Sequence, residues 1–242
     1  MFALLGGLNI YFLTENLPGN SRRQSPNYFV AVQISNPRIH ENVKRVQRHI
    51  VRQARSLHEY MNATPTLHIT LMVINVSDRD THERALKALH NVYDECNEVM
   101  CREPLQLEFS GLGNFRDRVL YAKIRRDQQY RRLCSLAECV ERHFAKVNIF
   151  STDPRPFDPH LTIAKINFNT REQKGLEKID RNWYASLINK HIGFQTIAGI
   201  QLLCMTSPVD DAGYYTGDSL IFKSPASSKE PQVKKEKDLS RN

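Results

Sequence analysis

The runs Thr66-Leu-His-Ile-Thr-Leu-Met-Val-Ile74 and Asp158-Pro-His-Leu-Thr-Ile-Ala-Lys-Ile166 carry one pattern twice, His68-Ile69-Thr70 and His160-Leu161-Thr162. Both runs are short, apolar and rich in β-formers, which reads as strand. Side chains i and i+2 of a strand share a face. Each run therefore sets an imidazole beside a hydroxyl, opposite Ile69 or Leu161. Two such strands facing each other bring two histidines and two hydroxyls around one small group. A phosphate held between a general base and a general acid suits that arrangement.

Working outward, residues 28–34 (Tyr-Phe-Val-Ala-Val-Gln-Ile) read as a strand that Asn36-Pro37 breaks. Residues 40–61 place Val43, Val46, Ile50, Val51 and Leu57 at helical spacing. A second helix spans 78–100, opened by Ser77 or Asp78. Residues 105–109 alternate as a strand and end in the loop-like Ser-Gly-Leu-Gly-Asn, and 118–124 form another strand. The plan then repeats: a helix over 128–147, a loop over 151–159 and the second His-x-Thr strand. A helix over 180–190 and strands over 197–205 and 219–223 complete the pattern. The two histidines lie in equivalent places of two similar halves, which predicts two pseudo-symmetric lobes. Residues 1–25 read as a leader and linker, 26–223 as the domain, and 224–242 as a disordered basic tail.

With 242 residues, 40% hydrophobic and 25% charged, the chain has the composition of a globular protein with ample core. Its net charge of +8 leaves about +5 on residues 26–223, which suits an anionic ligand such as a nucleotide or short RNA. Five cysteines without C-x-x-C spacing read as free thiols in a reducing compartment rather than a zinc site. Met1–Leu13 is apolar but too short to span a bilayer, and it lacks a basic n-region and cleavage site. No membrane association is expected. A cytoplasmic or nuclear location and a monomer are.

The chemistry follows from the groups. An imidazole titrates near pH 6.5, so one histidine can be neutral and take a proton while the other, protonated, gives one. Thr70 and Thr162 can donate to the non-bridging phosphate oxygens. No cofactor or metal is required. A two-histidine metal site would need further ligands, for which Asp78 and Asp158 are the nearest carboxylates. Around this group, Tyr121 and Phe157 are candidates to stack on a base, and Arg118 and Arg155 to pair with phosphate. Lys165 is also cationic but alternates out of phase with Thr162, which points it away.

These residues resemble the 2H phosphoesterase superfamily, named for two His-x-Thr/Ser motifs on paired strands. The nearer likeness is to the phosphoesterase-like central domain of the A-kinase anchoring protein seven group. It is carried by Pro26-Asn-Tyr-Phe-Val-Ala, Leu67-His-Ile-Thr-Leu, Gly111-Leu-Gly-Asn-Phe115, Phe157-Asp-Pro-His-Leu-Thr-Ile-Ala-Lys165 and Gly213-Tyr-Tyr215. The resemblance implies an α+β, bilobal, pseudo-symmetric LigT-like fold, with two antiparallel sheets facing a central cleft and helices outside. It further implies metal-independent cleavage of 2′,5′-linked oligoadenylate by His68, His160, Thr70 and Thr162. The same four residues suit a 2′,3′-cyclic phosphodiesterase, and a non-catalytic pocket sensing AMP is the alternative of another class. Anchoring members of that group carry an amphipathic helix that docks on the regulatory subunit of protein kinase A. Residues 224–242 hold only Val233 and Leu239 as large apolar side chains and two prolines, so this stretch is not expected to dock.

Overall fold

The computed structural model describes residues 25–166 and 178–223. The expected leader and basic tail lie almost wholly outside them. Eleven strands and α-helices follow one another among these residues. They are β1 (Tyr28–Gln33), α1 (Pro37–Gln53), β2 (His68–Ile74), α2 (Arg79–Arg102), β3 (Gln106–Phe115) and β4 (Val119–Ile124), then α3 (Gln128–Ala145), β5 (Leu161–Lys165), β6 (His191–Thr196), β7 (Gly199–Cys204) and β8 (Gly217–Ile221).

Each helix starts at a capping side chain. The Asn36 carboxamide accepts from the Arg38 amide at 2.9 Å, and Pro37 takes the first turn, where a missing N–H costs nothing. Asn36-Pro37, expected to break a strand, also opens a helix three residues before the predicted start. Asp78 and Asp127 cap α2 and α3, accepting from the amides of Thr81 and Tyr130 at 2.7 and 3.1 Å. Along α1, Ile39, Val43, Val46 and Ile50 are buried, the 4-3-4 spacing of one helical face. The helix ends at Ala54, whose backbone is extended, and residues Arg55–Tyr60 make a 3₁₀ turn rather than continuing to 61.

The strands form two antiparallel four-stranded sheets, ordered β2-β1-β7-β8 and β5-β4-β3-β6. The expected α+β architecture of two lobes is thus present, with helices packed on the sheets. The lobes are not the two halves of the chain, however. The second sheet is built entirely from the middle of the sequence, while β7 and β8 return to pair beside β1. Helix α1 leaves the first sheet and packs on β5 and β6 of the second; α3 leaves the second and packs on β2. One cluster of buried residues consequently runs through both sheets and all three helices, from Val30 and Ile69 to Leu120 and Ile163.

Two further expectations are corrected. Residues 180–190 form two 3₁₀ turns, Arg181–Trp183 and Ala185–Leu187, instead of a helix. Trp183, Tyr184 and Leu187 satisfy their apolar character by packing on the core from these turns, without the intrahelical bonds a helix needs. Residues 110–114 are strand, not loop. Phe109 pairs with Ile124 and Leu112 with Ala122, so one extra residue bulges from β3, and Gly111 at φ +81° absorbs it. Strand β6 had no sequence signal: His191, Phe194 and Thr196 point outward, and Gly193 interrupts it. Among the described residues no helix is long and apolar enough to cross a membrane.

Candidate active site

The two His-x-Thr strands lie beside each other, β2 at the edge of one sheet and β5 at the edge of the other. Their surroundings are related point for point. The His68 Nδ1 lies 2.7 Å from the Thr66 carbonyl, and the His160 Nδ1 lies 2.7 Å from the Asp158 carbonyl. A carbonyl can only accept, so each Nδ1 holds the hydrogen and each Nε2 lone pair is available in the neutral ring. Each imidazole is also boxed by two aromatic rings. Phe29 and Tyr215 lie 4.8 and 5.5 Å from His68, centroid to centroid; Phe115 and Tyr121 lie 4.8 and 5.2 Å from His160.

A β-bulge follows each threonine. Thr70 pairs with Ala31 but Met72 with Val30, and Thr162 pairs with Tyr121 but Ala164 with Leu120. The extra residues, Leu71 and Ile163, are buried together with Met72 and Ala164. Alternation restarts beyond the bulge, so the residue three positions after each threonine returns to the threonine's face. In the first lobe that residue is Val73, which packs with Phe29 and Tyr215. In the second it is Lys165. Strict alternation pointed Lys165 away; the bulge turns it to the side of His160. The bulge is held from behind by Gln47 of α1, whose Nε2 donates to the carbonyls of Asn62 and Ile163 at 2.7 and 3.1 Å.

Burial lowers both imidazoles from the ordinary 6.5. For His68 the Thr66 carbonyl opposes the shift, while the positive charges of His160 and Lys165 add to it. For His160 the Asp158 carbonyl and carboxylate oppose it, while Arg155 and Lys165 add to it. His160 acts on His68, Lys165 acts on both rings, and β2 lies against β5, so the two rings flank one space. Asp158 is the one carboxylate among the groups that shift either ring.

Of the other sequence candidates, Tyr121 stands at the site, stacked on Phe115 at 4.3 Å. Arg155 folds onto Asp153, Nε to Oδ1 2.8 Å, and Phe157 packs against the main core. Arg118 sits at the turn between β3 and β4, its amide donating to the Phe115 carbonyl at 2.9 Å. Phe29, Phe115 and Tyr215 have no role in the sequence reading, because an aromatic residue on a strand, as Phe29 and Phe115 are, or in a loop, as Tyr215 is, looks the same whether it faces core or cleft. All three lie in segments that carry the family resemblance, Pro26-Asn-Tyr-Phe-Val-Ala, Gly111-Leu-Gly-Asn-Phe115 and Gly213-Tyr-Tyr215, but nothing in those segments assigns them a role. Tyr215 is positioned by its neighbour: the Tyr214 hydroxyl donates to Gln201 at 2.8 Å, and the Tyr214 amide to Asp210 at 2.8 Å.

As to metals, Asp78 is occupied as a helix cap. Among the described residues, the His, Cys and acidic side chains near enough to share a cation are Glu95, Cys139 and His143. They lie between α2 and α3, where Glu95 already accepts from Arg142 and pairs with His143. The thiols that approach each other are Cys96 and Cys139, at 3.7 Å, across these two helices.

Residues 26–220 match the family model described as the AKAP7 2′5′ RNA ligase-like domain. The chain belongs to this family. It is 30% identical over 207 residues to human A-kinase anchor protein 7 isoform gamma, covering 85% of this chain and 60% of that one. The chain thus spans about 60% of the length of that relative. A solved Thermus thermophilus protein, 18% identical, superposes with a TM-score of 0.54 over 81% of this chain and 97% of its own. E. coli LigT in complex with 3′-AMP is 18% identical, with a TM-score of 0.47 over 81% and 95% of the two chains. The AKAP7-like domain accordingly places this chain in the 2H phosphoesterase superfamily, as the tripeptides led one to expect.

Within this AKAP7-like domain one glycine is tied to the site. A Cβ on Gly113 would lie 2.4 Å from Cζ of Tyr121, whose ring crosses the strand at that point. Gly113→Ala is therefore expected to push Tyr121 off Phe115 and open the ring box around His160. Were an adenylate the substrate, steady-state kinetics should show its KM raised roughly tenfold, the worth of one ring contact of about 1.4 kcal/mol, with the melting midpoint little changed. An unchanged KM would mean that Tyr121 does not contact substrate.

Proposed function

We propose that this chain is a metal-independent phosphodiesterase that cleaves 2′,5′-linked oligoadenylate or a similar short RNA. The observation that carries the reading is the duplicated imidazole: two rings of one tautomer, each flanked by a threonine on the same face and both acting on one space. In this scheme the 3′-hydroxyl beside a 2′,5′ linkage attacks phosphorus as the bond to the leaving 5′-oxygen breaks. One Nε2 takes the proton of the attacking hydroxyl and the other imidazolium gives a proton to the leaving oxygen. The products are a 2′,3′-cyclic phosphate and a 5′-hydroxyl. Thr70, Thr162 and Lys165 stabilise the charge on the non-bridging oxygens.

The charges around the rings favour one assignment. The charges acting on His68 are both cationic, while beside His160 the Asp158 carboxylate supports a proton against the cations Arg155 and Lys165. His68 is therefore the base and His160 the acid. Tyr121, Phe115 and Tyr215, which are only partly buried, supply faces for bases, with AMP or a short oligonucleotide as ligand.

Incubation with 2′,5′- and 3′,5′-linked oligoadenylates in EDTA tests this. Cleavage of the 2′,5′ linkage in the chelator, with little of the 3′,5′ isomer, is the expected result. Activity lost on chelation and restored by a divalent cation would sink the metal-free scheme. Micromolar AMP binding without any cleavage would instead favour a sensor.

A further inference from the structure

Helix α1 and the turn after it form one of the basic stretches of the folded part. Residues 37–60 hold six Lys and Arg against two Glu, a net +4, or half the +8 of the whole chain. Arg45, Arg48, His49 and Arg52 follow one another at i, i+3, i+4 and i+7 along α1, opposite the buried stripe of Ile39, Val43, Val46 and Ile50. Lys190, from the segment entering β6, comes to the same side. These five basic groups line a pocket of about 330 Å³ whose floor is Val46 and Leu187. A second hollow of about 460 Å³, lined by Arg52, Arg55 and His58, adjoins it through Arg52. Glu41 answers part of this charge, pairing with Arg45 and Arg48 at 3.2 and 3.0 Å, while Arg45 and Arg48 remain about 60% exposed. Helix α1 packs on the second sheet through residues buried with Leu120 and Ile163, the face opposite Tyr121 and Thr162. The groove is thus behind the catalytic face of that lobe, not part of the cleft.

We propose that this groove is a second nucleic-acid surface, which takes the phosphate backbone of single-stranded RNA running beyond the cleaved linkage. A row of exposed Arg side chains at helical spacing fits a backbone of repeating phosphates, and contacts to phosphate carry no base specificity. A soluble basic helix with scattered charge would not gather a lysine from a different element into the same pocket. The inference rests on the phosphodiesterase reading for the identity of the polyanion. Its consequence is a length dependence: a dinucleotide at the histidines cannot also reach the back of the lobe, whereas a longer strand can.

The test compares wild type with Arg48→Gln/Arg52→Gln/Lys190→Gln in the full chain, matched for melting midpoint. The probes are a fluorescent single-stranded 2′-O-methyl 20-mer, which has no hydroxyl to attack its own linkages, and a 2′,5′-linked dinucleotide. The variant should bind the 20-mer at least ~10-fold more weakly, with the slope of log K against log salt smaller by about 2, as expected for three lost phosphate contacts. Its rate on the dinucleotide should match wild type. Equal affinity and equal slope would overturn the proposal. So would binding of anionic phospholipid vesicles, through the same residues, by a protein that ignores the 20-mer. If wild type fails to cleave the dinucleotide yet its 20-mer binding still depends on these residues, the phosphodiesterase reading fails and the RNA surface stands.

Discussion

His68→Ala and His160→Ala are each expected to lower kcat on a 2′,5′-linked adenylate by ~10²–10⁴-fold, the range a positioned acid or base contributes. The double variant should be little worse than the poorer single one, because the two rings act on one transition state. Binding of AMP should survive in both, since Phe29, Tyr215, Phe115 and Tyr121 keep their places. The pH profile carries a second signature. Burial holds both folded imidazoles below 6.5. In the free enzyme the base loses its proton below 6.5, and the acid is already losing its own in the same region. The bell in kcat/KM should therefore peak below pH 6.5. Asp158→Asn removes the charge that supports a proton on His160 and should move the alkaline limb, the one set by the acid, further down. Movement of the acid limb instead would reverse the assignment of base and acid. A profile flat from pH 5 to 8 would remove both histidines from the proton transfers.

The second large effect is on stability. Phe144 of α3 is fully buried, and α3 packs on both β2 of the first sheet and β3 of the second. Phe144→Ala leaves a ring-sized void where the two lobes share their core, at a cost of about 3–5 kcal/mol. For a chain of this size the melting midpoint should fall by roughly 6–20 °C. Because the buried cluster is continuous through both sheets, unfolding should remain a single transition. Calorimetry that resolved two transitions, only one of them shifted, would show that the lobes have separate cores and that the shared cluster does not couple them.

How much of this was legible in the chain depends on the range of the interactions. The His-x-Thr runs, the caps Asp78 and Asp127 and the apolar stripe of α1 could be read directly, because strand alternation, capping and helical periodicity are properties of neighbouring residues. The same locality misled at Lys165. Alternation from Thr162 sends it outward, but whether a bulge intervenes depends on how β5 registers against β4, and β4 is some forty residues upstream. Gly113 looked like loop for a related reason: its partner Tyr121 belongs to the next strand. The cysteines show no C-x-x-C spacing along the sequence, whereas the close pair is Cys96 and Cys139, brought together by packing of α2 on α3.

The chain by itself therefore determined the two His-x-Thr strands, their four polar side chains and the family of folds able to hold them. Only the tertiary structure decided which lobe each element joins, that both histidines are the same tautomer between two rings, that Lys165 faces the site, and that the basic face of α1 lies behind it. The division has one physical cause. Side-chain direction within an element follows from backbone periodicity, but the register between elements is set by burying one common core, which no local stretch of sequence contains.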